Sequence, residues 1–512
     1  IAATLLGAIC FQVVLFCLTN HPDPEMRKYT YDVISQTISI FCAVMVFQTF
    51  NHLIEAKVLE GASRTFVLLV DMIHMLVWYI AMQIALAIIS GAVWTQPSEL
   101  DPDKAEHLAE KREIDMECFA VLLAHCTGFA SINAWGAVQH LEFFSSSPVM
   151  TALCLPCAAA GMLGLQRVTN SMRLWVALSD DDVVDEYETV WNEATIEAEN
   201  DVMALTLSFL TTQVLRFTFS GALPDQEGVL SWSQLLGPDQ FSGMIHLYTC
   251  ALVFVMAVVV FVVVAPSGMS HVVQRMVEVL NASVCMSFAW CAFYGSQWMI
   301  ASLASLQRVD MLISVVLTIF ISIASFSCIW VLDKLADADF TGEKVDDAIR
   351  EIIKGIGILT GFAWEQSFDQ AMNAISGTMP SPHLSRTLLA LFCVLVIVPA
   401  WRWWILPMVH LEGWRFGFVI DPDNRNTWRD VVGSKRFKEV LSSVVEDSVQ
   451  NNEVKGEFTA AISKVVETMA AASGNTPREN GHGHGGHGGH GGHGHGHSGH
   501  ADPSPRGSAA SE

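Results

Sequence analysis

The chain predicts an all-α fold, a polytopic transmembrane helical bundle of about 11–12 spans, and three observations predict it. It is 52% hydrophobic and only 16% charged, with a mean hydropathy of +0.39, whereas soluble domains carry roughly 25% charged residues. Its charges avoid a series of apolar runs about twenty residues long, the length needed to cross a ~30 Å hydrocarbon layer. Lipid also cannot satisfy a backbone polar group, so runs of this length are helices.

The elements follow in order. Residues 1–19 are apolar almost throughout and lack the basic start and small-residue cleavage site of a signal peptide, so they read as an opening membrane helix, whole or truncated. Further spans are expected at 31–54, 65–94, 118–141, 149–165, 202–220, 244–265, 282–303, 311–332, 355–375 and 384–406. The fifth, 149–165, is short enough to be tilted or re-entrant. Before the sixth, the acidic insert 171–201 alternates Trp175, Val184, Tyr187, Trp191 and Ile196 with carboxylates, which predicts an amphipathic helix lying on the bundle. The connection 333–350 begins like a calcium loop at Asp337 and Asp339, but Ala348 stands where a bidentate Glu is needed, so it reads as a solvated acidic connection.

Lys and Arg crowd the connections after odd-numbered spans, Arg27, Lys28, Lys111, Arg112, Arg173 and Arg350 among them. They are sparse after even-numbered ones, where Lys57, Arg64, Arg308 and Arg386 stand. The positive-inside rule then places the C-terminus in the cytoplasm of a multi-pass integral membrane protein. Beyond residue 411 the pattern changes. Residues 411–472 read as a cytoplasmic amphipathic helical region, and 473–512 as a disordered Gly/His-rich tail.

Internal similarity is the most informative signal. Residues 38–53 align without a gap on 126–141, placing Phe41 on Phe129, Phe47 on Trp135, Asn51 on Gln139 and His52 on His140. Two further copies have Phe288 with Tyr294 and Phe362 with Phe368, so the aromatic pair six residues apart recurs in spans two, four, eight and ten. The organisation expected is two parallel pseudo-repeats, a first membrane half at 1–170 and a second at 241–410, joined by the insert 171–201 and a linking transmembrane helix at 202–220.

Function is sought among polar groups at membrane depth, where an ionised side chain is costly unless it faces protein or water. Asp71 and His74 lie three apart in the third span. Glu365, Asp369 and Asn373 form a stripe on one face of the tenth, about 12 Å long at 1.5 Å per residue. These five are the leading transport or coupling candidates. Gln48, Asn51, His52, Gln139, His140 and Gln297 are secondary ones, with helix-interface hydrogen bonding as their simpler use. The tail histidines His482, His484, His487, His490, His493, His495, His497 and His500 could weakly hold zinc, copper or nickel, but show no structural-site spacing; no other cofactor is expected.

Several classes are excluded. A net charge of −24 is the wrong sign for a nucleic-acid partner. Twelve cysteines, many in apolar runs, read as buried thiols and not a disulfide scaffold. HExxH, GxSxG and GxxxxGK are absent, so no enzyme is expected. The expectation is an integral membrane transporter or channel moving a small solute or cation, with proton coupling as one form. The alternative is a non-transporting scaffold or receptor that recruits a partner through its C-terminal region. Partners expected are membrane lipid, the solute or cation, and a second copy of the chain or a cytoplasmic protein.

Overall fold

The computed structural model describes residues 13–21, 23–59, 61–93, 102–179, 184–226, 228–230, 240–264, 270–302, 310–336, 338 and 342–410. Most of the expected opening span, part of the acidic connection 333–350, the region 411–472 and the histidine tail lie outside the described residues. Among those described there is no strand. The helices are α1 (Pro24–Ile54), α2 (Arg64–Ser90), α3 (Pro102–Gln139), α4 (Pro148–Ala152), α5 (Cys154–Ala177), α6 (Glu186–Ser220), α7 (Gln240–Val264), α8 (His271–Ala301), α9 (Asp310–Ala336), α10 (Glu343–Ser376), α11 (Pro382–Ala400) and α12 (Leu406–His410).

Their limits follow from local chemistry. Asp23 accepts the Glu25 amide and Pro24 presets the first turn of α1. Asp185 and Glu188 form a reciprocal capping box at the start of α6. Gly91 and Gly221 close α2 and α6 with φ of 87° and 71°, a conformation that costs glycine little. Pro399 removes one amide donor late in α11, and the chain continues as a π-helical turn at Trp401–Ile405.

Nine stretches among the described residues are long and apolar enough to cross a membrane. They correspond to every expected span except the first, which is mostly undescribed, and the tenth. The tenth is α10, a continuous helix whose acids and amides keep it out of that set. One expectation is corrected. The acidic stretch 171–201 is not a helix of its own, because α5 runs on to Ala177 and α6 begins at Glu186 and continues unbroken to Ser220. The reason is a buried face carried through the acids by Trp191, Thr195, Ala198 and Val202.

The packing has two layers. Helices α1, α3, α6, α8 and α10 form a closed ring in which each touches the next and α10 returns to α1. All five run in the same direction, as their paired residues advance together: Gly357 and Gly361 meet Gln36 and Ile40, Cys285 and Trp290 meet Gly355 and Phe362, and Asn200 and Phe209 meet Arg275 and Trp290. Helices α2, α5, α7, α9 and α11 run the opposite way and pack outside. Each of the first four lies chiefly on the ring helix that follows it, and α11 lies on α1. The buried share of the apolar stretches follows this division, from 50% in α8 to 67% in α3 within the ring, and from 11% in α11 to 44% in α9 outside it. Outer helices thus turn residues such as Leu252, Phe392 and Leu395 outward. A surface this apolar suits lipid and not water.

All four copies of the aromatic pair lie on ring helices. Their rings are packing groups: Phe41 meets Phe368 at 4.7 Å, and Phe47 meets Phe129 at 6.4 Å. The middle of the ring is filled. Ile40 and Val44, Ile132, Leu205 and Phe209, Trp290 and Phe293, and Leu359 and Phe362 bring all five helices into one buried core. Within it, Trp290 stacks on Phe362 at 3.7 Å and meets Phe209 edge-on at 5.1 Å.

Candidate functional site

Call the end of the bundle where the ring helices finish the upper end. Here α1 carries Gln48, Asn51 and His52, and Glu55 follows at its C-terminal cap, the four recurring at three- and four-residue intervals and so sharing one face. Glu55 opens a π-helical turn, Glu55–Leu59, a distortion often found at functional sites. The Asn51 amide donates to Glu55 at 2.8 Å, the His52 ring lies 3.2 Å from the same carboxylate, and Asn133 of α3 donates to the Asn51 oxygen at 3.3 Å.

Helices α10 and α11 complete the group. Arg386, at the start of α11, forms a short ion pair with Asp369 and donates to Asn373, while its other contact is Gln48 of α1 at 2.6 Å. Asn373 also donates to Asp369 at 3.0 Å. Asp71 of α2 is 5% exposed, its Oδ2 has no hydrogen-bond partner among the described residues, and Glu55 is its charged neighbour. Asp369 and Glu55 therefore share the field of the Arg386 guanidinium, with His52 at the edge, and Asp71 joins the group through Glu55 alone. Three carboxylates and one ion-paired guanidinium at this group make it attractive to a cation.

The other sequence candidates divide. His74 is not joined to Asp71; its Nε2 accepts from Trp78 Nε1 at 2.8 Å and its ring stacks on Phe47. Glu365 lies one turn deeper than Asp369, buried, with the Gln366 amide donating at 3.1 Å and Tyr294 of α8 as an electrostatic neighbour. Gln139 fastens α3 to α6 by donating to the Leu210 carbonyl at 3.3 Å. His140 holds the loop after α6 through the Pro224 carbonyl at 2.9 Å. Gln297 is half-buried on α8 without a hydrogen-bond partner among the described residues. Also among those residues, no three His, Cys, Asp or Glu side chains are grouped to hold a metal ion.

Two features were missed from the sequence. Arg386 was legible only as a loop cation, since nothing local relates it to Asp369 seventeen residues earlier. The second is a buried cluster on Glu199, 0% exposed, which accepts from Arg173 at 2.7 Å, Arg275 at 3.0 Å, Thr169 at 2.7 Å and Gln83 at 3.0 Å. It ties α2, α5, α6 and α8 together nearer the lower end. Its signal was present, because Glu199 shares a helical face with Trp191, Thr195 and Val202. Another buried charge, Arg216, lies over the Tyr294 ring at 3.6 Å and donates to the Gly228 carbonyl at 2.6 Å.

No family model matches the chain, and neither a curated protein nor a solved structure matches it. The functional reading therefore rests on the geometry.

Proposed function

We propose that the protein is an integral membrane transporter or channel for a small cation or cation-coupled solute, entering at the upper polar cluster. The observation that carries this reading is the grouping of Glu55, Asp71 and Asp369 at one end of the bundle, Asp369 and Glu55 beside Arg386 and Asp71 beside Glu55, above a ring closed by apolar side chains. Structural hydrogen bonding alone does not call for Asp71, a buried carboxylate whose Oδ2 has no hydrogen-bond partner among the described residues, since such a group is costly at membrane depth. A site that binds and releases a cation does call for it.

In this mechanism an arriving proton or other cation competes with Arg386 for Asp369 and Glu55. The core of Phe209, Trp290 and Phe362 is the closed barrier, and passage requires the ring helices to part there, as at a hydrophobic constriction. The duplication read from sequence belongs to the same proposal. It is supported by packing that recurs between the halves: α2 on α3 and α1 on α3 in the first, α9 on α10 and α8 on α10 in the second, with α6 between them.

Reconstituted into vesicles, the protein should give saturable, pH-dependent flux. Asp71→Asn and Asp369→Asn should each lower it at least about tenfold, or roughly 1.4 kcal/mol in transition-state terms, with folded protein unchanged. Unaltered flux in both variants removes the mechanism. Absence of flux from folded wild-type protein favours the scaffold reading, whose recruiting region 411–472 lies outside the described residues.

A further inference from the structure

Among the described residues the outer layer has a gap. Helices α5 and α8 both pack on α6, and between them is a cavity of about 990 Å³, at the upper limit of ordinary small-molecule sites. Leu155, Ala159 and Leu163 of α5, Met203 and Leu207 of α6, and Leu280 of α8 make its walls apolar. Its lining on α5 extends from Leu155 to Asn170, about 22 Å at 1.5 Å per residue. That is an elongated shape. Half of a ~30 Å hydrocarbon core is about 15 Å, and the headgroup layer adds roughly 5–7 Å on each side, so the cavity has the length of one leaflet's lipid with its headgroup.

The charged groups are all at one end, while Ser283, Ser287 and Thr211 place only hydroxyls farther along the apolar part. Gln166, Arg167 and Asn170 come from α5, and Gln274, Arg275 and Glu278 from α8. Glu278 is engaged by Gln274 at 3.0 Å. Arg167, Arg173 and Arg275 stand against the carboxylates of Glu199 and Glu278, so this end carries a net positive charge. Arg167 is exposed, and its guanidinium has no partner among the described residues. From this placement we infer that the cavity is a binding site for an anionic phospholipid of the surrounding membrane, its acyl chain along α5 and α6 and its phosphate at Arg167 and Arg275. Basic pockets between membrane helices recognise headgroups in this manner.

The inference rests on the membrane reading but not on transport. The full chain is reconstituted in nanodiscs containing equal phosphatidylglycerol and phosphatidylcholine with the same acyl chains, extracted, and its co-purifying lipid quantified. Phosphatidylglycerol should be retained in preference. Arg167→Gln, whose side chain has no partner to lose, should reduce that preference about fivefold, the order expected for one basic residue near an anionic headgroup. Ala159→Phe, which fills the apolar part, should reduce retention of lipid altogether. Equal retention of both lipids, or a preference unchanged in Arg167→Gln, overturns the inference alone. Displacement of the bound lipid by inorganic phosphate also overturns it, because the site would then recognise the anion without the chain. A chain that fails to enter the bilayer overturns the membrane reading itself.

Discussion

Arg386 and Glu199 show what single residues contribute and how they escape a reading of local pattern. Asp71, Asp369 and the face Gln48–Asn51–His52 were legible because polar groups in an apolar helix stand out and helical spacing tells which of them share a side. Arg386, which joins Asp369 to Gln48, was not, because an ion pair between helices has no sequence spacing. Removing Arg386 is informative for that reason. Arg386→Gln leaves Asp369 and Glu55 open to an external cation, so the half-saturation concentration for cation flux should fall several-fold. An unchanged value would reduce Arg386 to a structural tie. Glu199 differs, since it is fully buried between two arginines and its loss leaves both uncompensated. Glu199→Ala should therefore destabilise the folded chain by about 3–5 kcal/mol, measured as denaturant unfolding in detergent. A loss below about 1 kcal/mol would mean that water already reaches the cluster.

At the scale of elements, the seam between α1 and α10 decides whether the upper cluster can assemble. A side-chain carbon at Gly361 would lie 2.7 Å from Ile40 Cδ1 and 3.4 Å from the Thr37 Cα, and one at Gly357 would lie 2.9 Å from Gln36 Oε1. Two glycines four apart let these helices approach closely, the usual device of membrane helix pairs. Gly361→Leu should cost about 1–3 kcal/mol through overpacking and reduce flux by drawing Gln48 away from Arg386. At Gly164 an added carbon meets nothing within 4 Å, so Gly164→Leu should change stability by less than about 0.5 kcal/mol. Thermal unfolding of both variants checks the contrast; equal losses would contradict the packing. Helix positions were legible in the sequence because runs of apolar residues announce themselves. The length of α6 was not, because its acidic first half looks soluble although one face of it is buried.

At the scale of the whole molecule, alternation of direction sorts the connections into two sets. Gly61, Gly221 and Gly377 lie at the upper end, and Ser179 and Gly342 at the lower. Single cysteines introduced there, in a background without the exposed Cys17, Cys157 and Cys328, should react with an impermeant maleimide from opposite faces of intact cells. The basic residues predict that the upper set is labelled from outside. Labelling of both sets from one side would contradict the two-layer arrangement. The all-helical class and the places of nine long apolar helices were accessible from sequence, whereas the closed ring was not. Which apolar helix touches which depends on shape fit between similar surfaces.

The common direction of the five ring helices also gives the axis of the molecule an electrical polarity. Each helix contributes roughly half an elementary charge of opposite sign at its two ends, and the helices of opposite direction lie farther from the axis. Their carbonyl ends make the upper mouth negative before any side chain is counted. Neutralising one carboxylate there should weaken cation attraction in steps and not abolish it, and an anion would meet its favourable field only at the other end.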